Sequence, residues 1–146
     1  MVDRLSIARR SANMSRIRSK DTKPEWTVRR LLHAEGYRYR LHGKDLPGKP
    51  DLVFNKRRKV IFVHGCFWHQ HARVECSDAR RPKSNETYWD AKLQKNVERD
   101  AAHLFSLRSK GWEVEVVWAC ETKDLDRLRA RLIRFLGPTS AEMRMC

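Results

Sequence analysis

The chain has 146 residues and a hydrophobic fraction of 40%, which suit a single domain with a buried core. It carries 32 basic against 18 acidic residues and a formal net charge of +14, which favours a polyanionic partner, nucleic acid first. A basic protein with a well-solvated surface is the alternative. The sequence has no run of 18 apolar residues, so it predicts no membrane-spanning helix.

The first 20 residues contain six basic residues, one acid and few apolar side chains. They have no apolar run of the kind found in secretory signals, so we expect an intracellular protein with reduced thiols. We interpret this segment as an arm that orders on a phosphate backbone. A short amphipathic helix is the alternative for the same residues.

Seven elements are predicted in the order helix, three strands, helix, strand, helix. Thr22-Lys23-Pro24-Glu25 is typical of a helix start, because a cap residue precedes proline and an acid in the first turn. The later helices are expected at about 84–110, capped by Ser84 or Asn85, and at 124–136. In the last helix the apolar residues are expected to face inward; they are Leu125, Leu128, Leu132, Ile133 and Leu136. The strands are expected at 37–41, 51–54, 60–64 and 112–118. This order implies an α/β fold with a mixed sheet and helices on both faces.

Residues 60–71 leave a buried strand and at once present reactive side chains. Four apolar residues from Val60 to Val63 predict the strand, and Gly65 ends it. Between positions 64 and 71 the chain places three histidines, one cysteine and two adjacent large aromatic residues. These are metal ligands, acid–base groups and stacking surfaces, so we interpret the stretch as the functional site.

Asp51 follows Pro50 at the mouth of a Gly- and Pro-rich loop that runs from His42. If the next turn centres near residues 57 and 58, antiparallel pairing places Asp51 opposite His64. A carboxylate at this position can hold a hard cation through oxygen. A turn-capping role for the aspartate is the alternative.

The long helix carries a polar stripe beside an apolar one. The polar residues are spaced by three or four and therefore share one face; they are Trp89, Lys92, Asn96, Asp100 and His103. The apolar residues beside them are expected to face the core; they are Leu93, Val97, Ala101 and Leu104. We expect the polar stripe to lie over the working edge of the sheet. An ordinary solvated face is the alternative, but it accounts poorly for a tryptophan.

The cysteines suggest a structural zinc site. Cys66 and Cys76 bracket His71, and Cys120 follows the last strand. Three thiolates and one imidazole make a tetrahedral zinc site. His69 is also within reach, which leaves one ligand open, and buried apolar cysteines are the alternative.

Three aromatic residues lie on the loop after the third strand and near the start of the long helix: Phe67, Trp68 and Trp89. On a basic protein such rings can insert between base steps, and unstacking costs least where a pair is mismatched. Packing in the core is the alternative, and for Phe67 alone it is the better one. For the three together we favour DNA.

Taken together, these residues resemble the very short patch repair endonucleases, the bacterial Vsr family. The matching motifs span about residues 10–120; they are 21–25, 46–51, 60–71, 88–89, 95–100 and 117–120. The resemblance implies a restriction-endonuclease-like α/β/α fold. It also implies an enzyme that nicks the thymine-containing strand of a T:G mismatch, the product of 5-methylcytosine deamination.

The resemblance further implies a role for each candidate residue. Asp51 and the main-chain carbonyl of Val63 would hold catalytic Mg²⁺, and His69, oriented by Asp100, would activate the attacking water. The supporting residues would be His64 and Glu25. The structural zinc ligands would be Cys66, His71, Cys76 and Cys120. The DNA contacts would be Phe67, Trp68, Trp89, Met14 of the arm, Lys92 and Asn96.

The implied organisation is a DNA-contacting arm at 1–20, a nuclease domain with the zinc site at 21–137 and a tail at 138–146. The implied partner is double-stranded DNA with a T:G mismatch. The expected setting is a monomer in the bacterial cytoplasm, associated with the nucleoid, with mismatch-repair proteins as candidate helpers.

The sequence departs from related nucleases at two points, and two other functions compete with the one that the resemblance implies. The wider nuclease superfamily has an acid and a lysine on the strand after the aspartate. This chain has Phe62 and His64 in those places, and in this respect it is like the Vsr family. Four residues separate His71 from Cys76, where many relatives have one, so the assignment of Cys76 departs from the family's spacing. The competing functions are a zinc-stabilised DNA-binding module without catalysis and a related nuclease with relaxed mismatch specificity.

Overall fold

The structure is a computed structural model that describes residues 22–66 and 86–139. Its helices are α1 (Lys23–Ala34), α2 (Glu86–Ser109) and α3 (Leu125–Leu136). Its strands are β1 (Arg40–Leu41), β2 (Leu52–Phe54), β3 (Lys59–His64) and β4 (Glu113–Trp118), with a 3₁₀ helix at Ala119–Lys123 before α3. The order of helices and strands predicted from the sequence is confirmed. Within these ranges no helix combines the length and the apolar character needed to cross a membrane.

The four strands form one mixed sheet in the order β1-β2-β3-β4. The first three strands are antiparallel neighbours, and β4 pairs parallel to β3. The chain between these parallel strands contains α2, which packs back on the sheet as crossover helices do. The predicted mixed sheet is therefore confirmed.

Each face of the sheet has its own apolar core, so helices cover both. On one face, α1 and α3 contribute Val28, Leu32, Leu128, Leu132 and Leu136, which pack on Leu52, Phe54, Ile61 and Val117. On the other face, α2 contributes Leu104 and Leu107, which pack with Val53, Val60, Phe62 and Trp112. Because side chains alternate along a strand, odd and even positions of β3 enter different cores. This three-layer arrangement is consistent with the restriction-endonuclease-like fold.

The ends of α1 and α3 follow local sequence signals. Thr22 and Glu25 form a reciprocal capping box, in which Glu25 N donates to Thr22 Oγ1 at 3.4 Å and Thr22 N donates to Glu25 Oε2 at 2.9 Å. Asp124 caps α3 by accepting from Arg127 N at 3.2 Å. Gly36 and Gly137 have positive φ angles of 97° and 80°, which only glycine adopts readily beyond a helix end.

The register between β2 and β3 differs from the prediction. The hairpin turn covers only residues 55–58, because Arg58 adopts a left-handed φ of 57° and Lys59 already pairs with Phe54. A turn centred one residue earlier shifts the partner of every β2 residue by two. Extending the observed register by one residue puts Phe62, not His64, opposite Asp51.

Three other predictions were wrong in detail. The first strand is limited to two residues, because the same register would place residues 37 and 38 opposite the β2–β3 turn rather than a strand. The alternation at residues 37–39 reflects Tyr37 and Tyr39, whose rings pack edge-on against Phe54. Leu125 of α3 is 45% exposed rather than inward-facing. Ala101 is likewise exposed, and Leu107 takes the core position on α2.

Candidate active site

An open cavity of about 740 Å³ lies where β2 begins and β3 ends. The loop from residue 42 to 50 forms one wall and the middle of α2 forms the other. Its polar lining consists of His42, Lys44, Lys49, Asp51, His64, Arg99, Asp100 and His103. The sequence-predicted residues Asp51, His64 and Asp100 thus meet in one place, although they come from three separate segments.

A hydrogen bond from the backbone holds the Asp51 side chain at the floor of this cavity. Its Oδ2 accepts from Val63 N at 2.7 Å, across the β2–β3 hairpin. Burial, followed by a hydrogen bond with Glu25, raises the pKa of the Asp51 carboxyl to about 8. The Val63 N–H and the charge of Arg29 act in the opposite direction. A carboxyl in this environment ionises reluctantly without a cation beside it.

Glu25 is both a helix cap and a buried carboxylate next to Asp51. It is only 2% exposed, and its Oε2 accepts from Thr22 N and Thr22 Oγ1. Its other oxygen, Oε1, lies 3.6 Å from Arg29 Nη2 and accepts no hydrogen bond from the described residues. A buried carboxylate oxygen that accepts no hydrogen bond lowers the free energy of unfolding, and a bound cation would remove this loss of stability.

Glu25, Asp51 and His42 form a compact set of donor atoms. One ligand atom from each lies within 4.8 Å of the others. Arg29 Nη2 is 3.4 Å from His42 Nε2, and because arginine only donates, that nitrogen accepts the contact, so a cation bound through the same lone pair would take the place of Arg29. Two carboxylates and an imidazole nitrogen suit a divalent cation. The cluster therefore fits a metal centre by its chemistry.

His64 ends β3 on the same side of the sheet as Phe62, facing α2. It is buried, and its ring packs against Phe62 at 5.5 Å and Trp118 at 5.3 Å between ring centroids. The imidazole lines the cavity beside Val63. His64 therefore reaches the site through the pleat of β3 rather than by pairing with Asp51.

The predicted polar stripe on α2 lies at the margin of the buried face, as expected. Its five residues are all half-buried; they are Trp89, Lys92, Asn96, Asp100 and His103. Asp100 and His103 line the cavity. Trp89 lies roughly 16 Å along the helix from Asp100, at 1.5 Å per residue. Its ring packs edge-on against Tyr88 at 5.1 Å.

Two of the four predicted zinc ligands lie side by side. Parallel pairing aligns His64 with Trp118, so the residues two positions beyond them, Cys66 and Cys120, leave the sheet together. Cys120 N is 3.4 Å from Cys66 Sγ. Cys66 is buried and Cys120 is half-buried, so both sulfurs share one small region at the sheet end.

The remaining predicted residues lie outside the described part of the chain. They are Met14, Phe67, Trp68, His69, His71 and Cys76. The proposed pairing of His69 with Asp100 and the last two zinc ligands stay predictions.

Several residues at the site were missed by sequence reasoning. Arg29 is four residues after Glu25, a spacing typical of a surface ion pair, yet both side chains are buried. His42 and Lys49 lie in the Gly- and Pro-rich loop before Asp51, and the sequence assigns neither of them a role. Arg99 immediately precedes Asp100, and its guanidinium donates to Asn96 Oδ1 at 2.8 Å. The one available signal was the concentration of basic residues near Asp51.

Comparison with known proteins identifies relatives over nearly the whole chain. Residues 2–75 match the family model described as DNA mismatch endonuclease Vsr. The Type II nicking enzyme V.XorIIP of Xanthomonas oryzae pv. oryzae is 52% identical over 95% of this chain and 100% of its own. The Type II nicking enzyme V.NmeAIP of Neisseria meningitidis is 43% identical over 93% of this chain and 95% of its own. The DNA mismatch endonuclease Vsr of Escherichia coli is 39% identical over 88% of this chain and 80% of its own.

Proposed function

Because the chain belongs to the Vsr family of DNA mismatch endonucleases, we propose that it nicks the thymine-containing strand at T:G mismatches left by deamination of 5-methylcytosine. The reaction is hydrolysis of one phosphodiester bond in double-stranded DNA. The observation that carries the proposal is the meeting of Asp51, His64 and Asp100 in one basic-rimmed cavity, with Glu25 buried next to Asp51. A module that only binds DNA has no use for two buried carboxyl groups so close together, because burying them costs stability.

A nuclease of this kind implies a divalent metal, and we propose Mg²⁺. Asp51 and the main-chain carbonyl of Val63 would hold it, with Glu25 supporting the site. The ion would stabilise charge on the attacking and leaving oxygens of the phosphate. The oxygen donors of Asp51 and Glu25 support this choice, since Mg²⁺ prefers oxygen ligands.

The chain's own residues would position the nucleophile and the substrate. In this proposal His69 takes the proton of the attacking water, and Asp100 holds the imidazole in the required orientation. His64 supports the site from the end of β3, where Phe62 and Trp118 fix its ring. The half-buried position of Asp100 at the cavity wall is compatible with that orienting role.

Recognition of the mismatch would use the aromatic loop and the α2 stripe. We propose that Phe67, Trp68 and Trp89 insert beside the mismatched pair, while Lys92 and Asn96 contact its bases. The arm of residues 1–20, with Met14, would enter from the other groove. The nuclease domain would occupy residues 21–137, followed by a tail at 138–146.

A structural zinc would rigidify the aromatic loop. We propose that Cys66, His71, Cys76 and Cys120 bind it as a tetrahedral site. The proximity of Cys66 and Cys120 supports two of these assignments. The donor set is typical of a site that anchors a long loop rather than one that carries out chemistry.

The test is a nicking assay on otherwise identical duplexes that contain T:G, T:A or C:G at one position. We expect Mg²⁺-dependent scission of the thymine strand of the T:G duplex alone, abolished by EDTA. Equal cutting of the T:G, T:A and C:G duplexes would remove the mismatch specificity from the proposal, and equal cutting of further duplexes with other mismatches would indicate a nuclease with relaxed mismatch specificity. Tight binding with no scission in any divalent metal would indicate a DNA-binding module instead.

A further inference from the structure

The loop from residue 42 to 50 begins and ends close to two backbone conformations that side chains rarely adopt. His42 and Lys49 both have a φ of 50°, in the left-handed region. Among the described residues only one other non-glycine residue does so, Arg58 in the β2–β3 turn. Both loop residues line the cavity around Asp51. Backbone strain of this kind persists only where surrounding structure imposes it, and it is concentrated at functional sites.

The loop is fixed on both sides of Lys49. Pro50 is completely buried, and its carbonyl accepts from Gly43 N at 2.9 Å. Lys49 N itself donates to Leu46 O at 3.1 Å. On the other side, a Cβ on Gly48 would lie 2.9 Å from His103 Cβ, so the loop packs closely against α2. The backbone of Lys49 therefore cannot leave the left-handed conformation without disturbing the wall of the cavity.

Glycine or asparagine would satisfy this backbone better than lysine does. Lysine is a poor choice for a left-handed backbone conformation, so its presence at position 49 indicates that the side chain has a function. The Lys49 side chain is exposed, and no acidic side chain in the described part of the chain pairs with it. The ammonium group is thus available at the cavity mouth, two residues before Asp51.

The chemistry of the cavity needs such a cation. A DNA phosphate that enters the cavity meets the carboxylates of Asp51 and Asp100, and the carboxylate of Glu25 is buried next to Asp51. His64 also lines the cavity, but it is buried between the rings of Phe62 and Trp118. Arg99 also reaches the cavity, but its guanidinium is engaged with Asn96. Lys49 is the basic residue nearest in sequence to Asp51, and hydrogen bonds of the loop fix its backbone.

We propose that the ammonium group of Lys49 contacts the phosphate at which the strand is nicked and neutralises its charge beside Asp51. This inference rests on the proposed function, since it names a substrate contact of the same site. Lys49 lies within the 46–51 motif, but neither the resemblance nor the metal-binding cluster assigned it a role. Lysine clamps on phosphoryl oxygens stabilise the charge that develops in the transition state.

Three variants test the proposal: Lys49→Asn, Lys49→Arg and, as a control, Lys56→Asn. Asparagine accepts the left-handed backbone but removes the charge, whereas arginine keeps the charge. Lys56 is an exposed lysine in the turn at the far end of the β2–β3 hairpin. Single-turnover nicking of the T:G duplex, the melting temperature and the salt dependence of duplex affinity in Mg²⁺-free buffer are measured for each.

Lys49→Asn should nick roughly 10- to 100-fold more slowly, the size of one lost charge-assisted contact, with a melting temperature equal to or above that of the wild type. Its log affinity should fall less steeply with log salt, by about 0.9, as expected for one phosphate contact fewer. Lys49→Arg should recover most of the rate, and Lys56→Asn should match the wild type.

Wild-type nicking by Lys49→Asn would overturn the proposal. So would a lowered melting temperature together with equal losses in the asparagine and arginine variants, since that pattern indicates a structural role. If the wild type nicks no T:G duplex, the proposed function fails. The salt slope then still decides whether Lys49 contacts a phosphate.

Discussion

Replacing Asp51 by asparagine should stabilise the metal-free protein at pH 8 while abolishing nicking. Burial, followed by the hydrogen bond with Glu25, raises the pKa of the Asp51 carboxyl from 3.8 to about 8. The folded chain therefore binds this proton more tightly than the unfolded chain does. The stabilising contribution of the protonated carboxyl is complete below pH 3.8 and is lost progressively as the pH rises to about 8.

The size of the effect follows from that window. One pKa unit corresponds to about 1.36 kcal/mol, so ionising Asp51 lowers the free energy of unfolding by at most roughly 6 kcal/mol. Glu25 shares the proton, and a buried asparagine amide has its own desolvation cost, so we expect a net gain of about 2 kcal/mol at pH 8. Asparagine keeps an oxygen for Val63 N and can donate to Glu25. For a chain of this size the gain corresponds to a melting temperature higher by roughly 5 °C.

Thermal unfolding at pH 5 and pH 8, each in EDTA and in Mg²⁺, measures the effect. The difference between variant and wild type should be larger at pH 8 than at pH 5 in EDTA, and Mg²⁺ should stabilise only the wild type. Asp45→Asn is the matched control, because Asp45 is exposed in the adjacent loop and pairs with Arg40 at 2.8 Å. It should give no gain at either pH. An Asp51→Asn difference that is the same at both pH values would refute the reasoning, and retained nicking would refute the metal role.

Three further predictions concern the zinc site, the mismatch wedge and the first helix. Elemental analysis should find one zinc in the wild type and none in Cys120→Ser, which should also melt at a lower temperature. Cys146→Ser, in the tail, should keep its zinc, and a zinc-free wild type would contradict the site. Trp89→Ala should reduce the ratio of T:G to T:A affinity by about tenfold, as loss of one stacking contact predicts, with little change in melting temperature; an unchanged ratio would remove the ring from recognition. Thr22→Ala should cost about 1 kcal/mol in urea unfolding, because Thr22 caps α1 and bonds to Glu25; no loss would mean that the capping box is unimportant.

The sequence by itself determined the features that depend on near neighbours. Thr22 to Glu25 carries a complete capping signal, and the structure has that capping box. The spacing by three and four on α2 correctly put Asp100 and His103 on one half-buried stripe, because helical periodicity is local. The order of helices and strands, and hence the mixed sheet, followed from the same kind of evidence.

Only the tertiary structure decided which distant residues meet. A left-handed Arg58 closed the hairpin one residue earlier than predicted and moved Phe62 opposite Asp51, a difference no local pattern specifies. Parallel pairing of β3 with β4 brought Cys66 to Cys120, 54 residues away in sequence. The cluster of Glu25, His42 and Asp51 likewise joins a helix, a loop and a strand start. Such contacts depend on packing across the whole domain, whereas each residue's own sequence neighbours fix only its helix, strand or turn.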